Sequence, residues 1–188
     1  MTDLEPYDQD AGGEVLVETA RERAIAAKTW LMLAADNQAQ ALSEWQYATI
    51  ALLRLGGLFA AVRVRRDVVH AATETDDPQQ VSDILAAVLD GPAFIDQLNG
   101  NYYVLVPVST GERAEWRDRR FAGYGEYLGR DSFLGVPRPD MTDPSRSFCH
   151  WVVPMCGPGD LCSPDNVAVL MTAGRNKLLR AEAAADDC

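Results

Sequence analysis

Apolar residues recur every three or four positions near the amino terminus, and this spacing predicts two helices. The first is expected over residues 14–37, where no strong helix breaker interrupts the pattern. Its apolar positions are Val17, Ala20, Ala24, Ala27, Leu31 and Ala34. The second is expected over residues 39–55, with Gly56 and Gly57 ending it and a short polar link before it. Residues 14–55 are therefore predicted to form a helical hairpin.

In the middle of the chain the spacing of apolar residues changes, and the pattern predicts strands as well as helices. An apolar run over residues 58–64 indicates a strand, and a short helix is expected over residues 66–72. Asp77 followed by Pro78 is typical of a helix start, which predicts a helix over residues 78–89. Two strand-like runs at 93–98 and 101–108 are separated by Asn99-Gly100, the preferred pair for a type I′ hairpin turn.

The last third of the chain predicts two more strands and a final helix. Residues 109–125 are polar and indicate a loop or short helix, while residues 128–136 and 148–154 indicate strands around a proline-containing turn. Ser163 and Pro164 begin a helix in which Gly174 is a candidate interruption. These elements predict an α+β fold, in which the amino-terminal helical hairpin precedes a mainly antiparallel sheet with flanking helices.

Length and composition suit one main domain with short acidic ends. The chain has 188 residues, and its hydrophobic (47%) and charged (24%) fractions exclude wholesale disorder. The predicted organisation is an acidic, disordered lead-in over 1–13, the hairpin over 14–55, an α+β domain over 56–180 and an acidic tail over 181–188.

The charge balance and the apolar runs constrain partners and location. A net charge of −11 argues against binding nucleic acid or an anionic membrane through the whole surface, although a local basic patch remains open. The longest apolar stretch, residues 48–64, contains Arg54 and Arg63 and is too short to span a membrane. The acidic amino terminus is unlike a secretion signal, so we expect a cytoplasmic protein without membrane contact.

Three cysteines and a histidine lie close together in the sequence, at Cys149, His150, Cys156 and Cys162. Thiolates and imidazole are zinc ligands, but this spacing differs from that of a zinc knuckle. Buried free thiols are the favoured interpretation, and a disulfide between Cys156 and Cys162 is an alternative. We therefore predict neither a metal nor a cofactor.

His70 and His150 are the two histidines of the chain, and neither stands in a recognisable catalytic motif. His70 is interpreted as a half-buried helical residue. Phosphate-binding glycine motifs are also missing from the sequence. No catalytic residue is assigned on these grounds.

Arginines are dense in two short segments, which could form one anion-binding patch if the fold brings them together. The candidates are Arg63, Arg65, Arg66, Arg117, Arg119 and Arg120. Acidic residues adjoin both segments, so a solvated face with local ion pairs is the favoured alternative.

Residues 57–175 resemble small uncharacterised proteins of high-GC bacteria that occur among mobile-element and regulatory genes. The segments that carry this resemblance are residues 62–64, 68–72, 89–92, 102–107, 134–139, 150–154 and 161–162. The resemblance implies a regulatory setting and assigns no chemistry.

The order of elements is also similar to that of the amino-terminal domain of bifunctional primase-polymerases. That family has an Asp-x-Asp strand, a helix, a strand with a histidine and a glycine-rich strand that ends in prolines. Here Val62-Arg63-Val64 stands in place of Asp-x-Asp, and Tyr102-Tyr103 stands in place of the histidine. Nucleotidyl transfer requires carboxylates on Mg²⁺, so this departure implies that the transfer chemistry is lost.

The favoured functional expectation is a non-enzymatic regulatory protein that binds a protein or nucleic-acid partner. One alternative is an enzyme of nucleotide or nucleic-acid metabolism, and another is an acidic inhibitor that mimics nucleic acid. A pocket lined by converging carboxylates or by His150 would favour the enzyme. A continuous acidic stripe would favour the inhibitor.

The amino-terminal helices contain more apolar surface than one helix face needs. Residues 30–33 form a continuous apolar run, and Trp30, Trp45 and Tyr47 add large aromatic side chains. Either the rest of the same domain or a second chain must cover this surface, and in the first case the hairpin is simply core. We predict the second case, a homodimer built on residues 14–55 with these three aromatic residues at the interface.

Overall fold

Six α-helices and seven strands form the described part of the chain, residues 11–118 and 120–186 of a computed structural model. The helices are α1 (Ala11–Met32), α2 (Gln38–Tyr47), α3 (Arg66–Thr73), α4 (Pro78–Leu89), α5 (Ala114–Arg117) and α6 (Pro164–Asp186). The strands are β1 (Ile50–Arg54), β2 (Ala60–Arg65), β3 (Ala93–Asp96), β4 (Asn101–Val106), β5 (Gly125–Leu128), β6 (Phe133–Pro137) and β7 (Cys149–Val153). A short 3₁₀ helix covers Val108–Glu112.

The strands form two antiparallel sheets. Five strands make the main sheet in the order β5-β2-β4-β3-β7, and β1 pairs with β6 in a separate two-stranded sheet. The predicted α+β class is confirmed: amino-terminal helices precede antiparallel sheets with flanking helices, and a helix follows them.

The main sheet is buried on both faces because successive side chains of its central strands point in opposite directions. Val62 and Val64 of β2 join a core formed with α3, α4 and α6. Ala61, which directly precedes Val62 and points to the other face, belongs to a second core that also includes Leu31 of α1 and Trp45 of α2. The sheet therefore forms the middle of three layers.

Helix α4 and the β3–β4 hairpin form where the local signals place them. The Asp77 carboxylate accepts the backbone N–H of Gln80 at 2.9 Å and caps the first turn of α4. Strands β3 and β4 pair from Asp96↔Asn101, as the Asn99-Gly100 signal predicts. The type I′ turn is wrong, however, because four residues connect the strands and only Gly100, not Asn99, has a positive φ.

The helical hairpin predicted over residues 14–55 is wrong in its second half. Helix α2 ends at Tyr47, and Thr49 adopts a left-handed φ of 63° that turns the chain into β1. In β1 the buried and exposed positions alternate, and Leu53 pairs with Leu134 of β6. The apolar pattern of this segment fits the period of a helix as well as that of a strand. Pairing with β6, about 80 residues later in the chain, decides in favour of the strand.

Two other elements differ from their predicted bounds. The strand expected over 128–136 is divided between β5 in the main sheet and β6 in the small sheet, with Asp131 at a φ of 66° in the connection. Helix α6 continues through Gly174 without a break.

The three aromatic residues predicted at a dimer interface differ in how far their own chain buries them. Trp45 is 1% exposed, and its indole N–H donates to the Val136 carbonyl at 2.9 Å. Its own chain buries it, so the interpretation of Trp45 as an interface residue is wrong. Trp30 is half-buried with its ring 5.6 Å from that of Phe59, while Tyr47 is 80% exposed. The homodimer stays a prediction that Trp45 no longer supports.

The predicted acidic ends fall partly outside the described residues. Residues 1–10 and 187–188 lie beyond them, whereas residues 11–13 belong to α1 and residues 181–186 belong to α6. Within the described ranges, none of the helices combines the length and the apolar character that crossing a bilayer requires.

Replacement of Gly174 by alanine tests the close contact between α6 and α3. A Cβ at Gly174 would overlap the carbonyl oxygen of Val68 and would lie 2.8 Å from its Cγ1. We expect G174A to lower the free energy of unfolding by about 1–3 kcal/mol in chemical denaturation. Helix propensity alone would change it in the opposite direction, by about 1 kcal/mol.

Gly57 supplies the matched control, since a Cβ there meets nothing within 4 Å. We expect G57A to change the free energy of unfolding by less than about 0.5 kcal/mol. A G174A protein that is more stable than the wild type would contradict the packing of α3 on α6.

Candidate functional site: a cleft that contains both histidines

One cleft brings together both histidines of the sequence. We call it the histidine cleft, and it encloses about 640 Å³. The polar residues that define it are Arg66, His70, Asp76, Ser82, Tyr102 and His150. They come from α3, the segment after it, α4, β4 and β7, so five separate parts of the chain build the site.

Strand register places two of these side chains on the same face of the main sheet. Tyr102 of β4 pairs with Ile95 of β3, and Ile95 pairs in turn with His150 of β7. Neighbouring strands are about 4.8 Å apart, so the Cα atoms of Tyr102 and His150 are separated by roughly 10 Å across this row. The cleft lies on the face that α3 and α4 cover.

His70 projects from α3 toward Tyr102. Its Nε2 lies 3.5 Å from the Tyr102 hydroxyl, and the two rings meet edge to face with centroids 6.3 Å apart. Arg66 stands four residues earlier on α3, which places its side chain on the same helix face as His70. The predicted half-buried position of His70 agrees with its intermediate exposure.

His150 is more deeply buried than His70. It is 5% exposed, and its Nδ1 lies 3.3 Å from the carbonyl oxygen of Ser147. A carbonyl only accepts hydrogen bonds, so Nδ1 carries the proton of the neutral ring and Nε2 is left as an acceptor. The adjacent Cys149 belongs to the opposite core, as alternation along a strand predicts.

Burial keeps both imidazoles neutral at neutral pH. Desolvation lowers the pKa of His70 below its ordinary value, and the nearby Arg66 guanidinium lowers it further, against the opposing effect of Asp76 and Asp67. Desolvation likewise lowers the pKa of His150. The pKa of Tyr102 is raised by desolvation, so its hydroxyl keeps its proton.

Arg66 is the cation of the histidine cleft. Its Nη2 donates to the carbonyl oxygen of Gln97 at 2.7 Å. None of the ion pairs found among the described residues includes Arg66, and its buried Nε has no hydrogen-bond partner there. A half-buried guanidinium without a carboxylate is typical of an anion site.

Among the described residues, the other predicted arginines do not line the histidine cleft with Arg66. Arg63 is paired with Glu126 at 2.6 Å, and Arg65 is paired with Asp67. Arg117 and Arg120 are exposed near α5, and Arg119 lies outside the described residues. The alternative of local ion pairs therefore describes Arg63 and Arg65.

The three described cysteines of the predicted cluster are free thiols in different environments. Cys149 and Cys162 are buried, and desolvation raises the pKa of Cys149 to about 12 and that of Cys162 further. Cys156 is exposed, unlike the predicted buried thiol. Across the described ranges, no three His, Cys, Asp or Glu side chains are grouped so that they could hold a metal ion.

Comparisons with known proteins supply no relative for this chain: no family model matches it, and neither curated proteins nor solved structures match it. At the positions where the primase-polymerase resemblance places Asp-x-Asp, Val62 and Val64 are fully buried in the apolar core under the helices. These residues do not fit a divalent cation. The histidine cleft therefore carries the functional proposal.

Sequence reasoning identified both histidines but not their convergence. His70 and His150 are 80 positions apart, and they line the same cleft only because β7 pairs with β3 while α3 packs over the same sheet. The pocket lined by His150 that would favour the enzyme alternative is present, and Asp76 and Asp77 line it as well.

Both histidines are expected to titrate below the ordinary value of 6.5 in an NMR pH titration of their imidazole resonances. A base whose folded-state pKa is lowered binds protons more readily when unfolded, so protonation favours unfolding. Stability should therefore fall as pH decreases from 6.5 through the lowered pKa values. Replacement H70N should reduce this dependence, and a His70 titration above 6.5 would contradict the burial argument.

Thiol labelling tests the environments of the cysteines. At pH 7.5 we expect an alkylating reagent to modify Cys156 in the native protein, because that side chain is exposed. Cys149 and Cys162 should react only after denaturation, since burial protects them and disfavours their thiolates. Peptide mapping by mass spectrometry separates the sites, and rapid native labelling of Cys149 would contradict its position in the core.

Proposed function

We propose that this protein binds a small anionic molecule in the histidine cleft. The observation that carries the proposal is the position of Arg66, a half-buried guanidinium without a carboxylate partner among the described residues, beside His70 and Tyr102. Its remaining N–H groups match the oxygen atoms of a phosphate or carboxylate.

The size of the cleft supports a small ligand. Its volume of about 640 Å³ is within the range of cofactor and substrate pockets. Apolar side chains such as Ile95 and Val152 contribute to its lining alongside the polar groups. A macromolecular partner, by contrast, is recognised through a broad surface.

Acid–base catalysis on the bound anion is a second candidate function, and it rests on His150. Since Ser147 accepts the Nδ1 proton, Nε2 of the neutral ring is available as a proton acceptor. This supports the enzyme alternative over purely structural roles for His150. A cytoplasmic location, a protein or nucleic-acid partner and a homodimer remain predictions beside this proposal.

Phosphate titration monitored by NMR tests the proposed anion site. Since the chain contains two histidines, their imidazole resonances report directly on the cleft. We expect inorganic phosphate to shift the His70 resonances saturably and to raise the pKa of His70, because the anion stabilises the imidazolium. Replacement R66Q should weaken binding by about tenfold or more, as expected for a charge-assisted contact.

Arg54 provides the matched control for R66Q. It is an exposed arginine of β1 in the opposite layer, so R54Q removes the same charge without touching the cleft. R54Q should leave phosphate affinity unchanged within about twofold. Equal effects of the two variants, or an absence of saturable shifts in the wild type, would contradict the proposed function.

A further inference from the structure

The histidine cleft carries charges of opposite sign at its two ends. Arg66 is the first residue of α3, whereas Asp76 follows the last turn of that helix. The eight residues of α3 extend over roughly 12 Å at 1.5 Å per residue. His70 lies between these ends, so the cleft runs along α3 from a cationic to an anionic end.

Asp76 is free to interact with a ligand. It is exposed, and the described residues provide its carboxylate with neither a hydrogen bond nor an ion pair. The neighbouring Asp77, in contrast, is engaged as the cap of α4 through Gln80. A bare phosphate at Arg66 would leave Asp76 without a role and would be repelled by its charge.

The groups beside Asp76 favour hydroxyls on the ligand. Gln79 and Ser82 belong to α4, which begins two residues after Asp76, and they line the cleft with neutral polar side chains, as Thr142 does. An ammonium group at Asp76 would form an exposed ion pair, which contributes little in water. Hydroxyl groups can donate to the carboxylate and also exchange hydrogen bonds with the neutral side chains.

The cationic end favours a phosphate. The Arg66 guanidinium and the His70 imidazole lie on one face of α3, and the Tyr102 hydroxyl lies 3.5 Å from His70 Nε2. Because one member of the His70–Tyr102 pair donates to the other, the guanidinium and one further donor of this pair are left for the ligand, and they suit the several oxygens of a phosphate monoester.

We propose that the ligand is a phosphorylated polyol, with its phosphate at Arg66 and His70 and its hydroxyl groups at Asp76. This assignment rests on the proposed anion site and adds the chemical class of the ligand. It also explains why the cleft is larger than a phosphate ion and why a free carboxylate lines an anion site.

Replacement D76N distinguishes the contribution of the ligand's hydroxyl groups to affinity from that of its phosphate. The probes are ribose 5-phosphate and inorganic phosphate, measured by calorimetry and by the His70 resonances. In the wild type we expect ribose 5-phosphate to bind at least about tenfold more tightly than phosphate, because its hydroxyls reach Asp76. D76N should remove most of this difference, while phosphate itself binds equally well or more tightly because a repelling charge is gone.

Asp83 provides the matched control, because D83N removes the same charge from α4 outside the cleft and asparagine still accepts from Gln79. D83N should leave the preference for ribose 5-phosphate intact. The assignment is overturned if ribose 5-phosphate binds no more tightly than phosphate, or if D76N changes both affinities in the same direction and proportion. Failure of phosphate itself to bind would instead overturn the proposed function and this assignment with it.

Discussion

Strand β2 has side chains buried on both of its faces, and the rest of the structure depends on this constraint. It lies inside the main sheet between β4 and β5, so its backbone hydrogen bonds are satisfied on both sides. Val62 and Val64 require a helical layer on one face, and Ala61 requires the second core on the other. Apolar burial on both faces of the sheet stabilises the fold. This burial outweighs the repulsion that a net charge of −11 creates within the compact chain.

The site follows from the way this strand ends. Arg65 ends β2 and Arg66 begins α3 without a connecting loop, so the end of this inner strand and the start of the helix together position Arg66. Val64 pairs with Tyr102, and the row continues through Ile95 to His150. Packing of α3 against α6 at Gly174 holds His70 over this row. The histidine cleft is therefore built on elements that belong to the core.

Electrostatics distinguish Arg66 from the arginines around it. Arg63 and Arg65 have carboxylate partners on exposed surface, where such pairs are screened and contribute little stability. Arg66 is half-buried, and its positive charge adds to desolvation in lowering the pKa of His70, four residues later on α3. An acidic protein can in this way keep the proposed local anion site, because short-range contacts decide binding once salt screens the overall charge.

The sequence by itself determined the elements whose signals are local. Asp77 and Pro78 define the start of α4 through contacts within four residues, and the position of the β3–β4 hairpin follows from Asn99 and Gly100. Only the tertiary structure decided the identity of β1, because its apolar pattern fits both helix and strand until β6 supplies a partner 80 residues away. It also decided the candidate site, since His70 and His150 carry no shared local motif. Their convergence depends on strand register and helix packing, which act between distant segments and leave no signature in the spacing of residues along the chain.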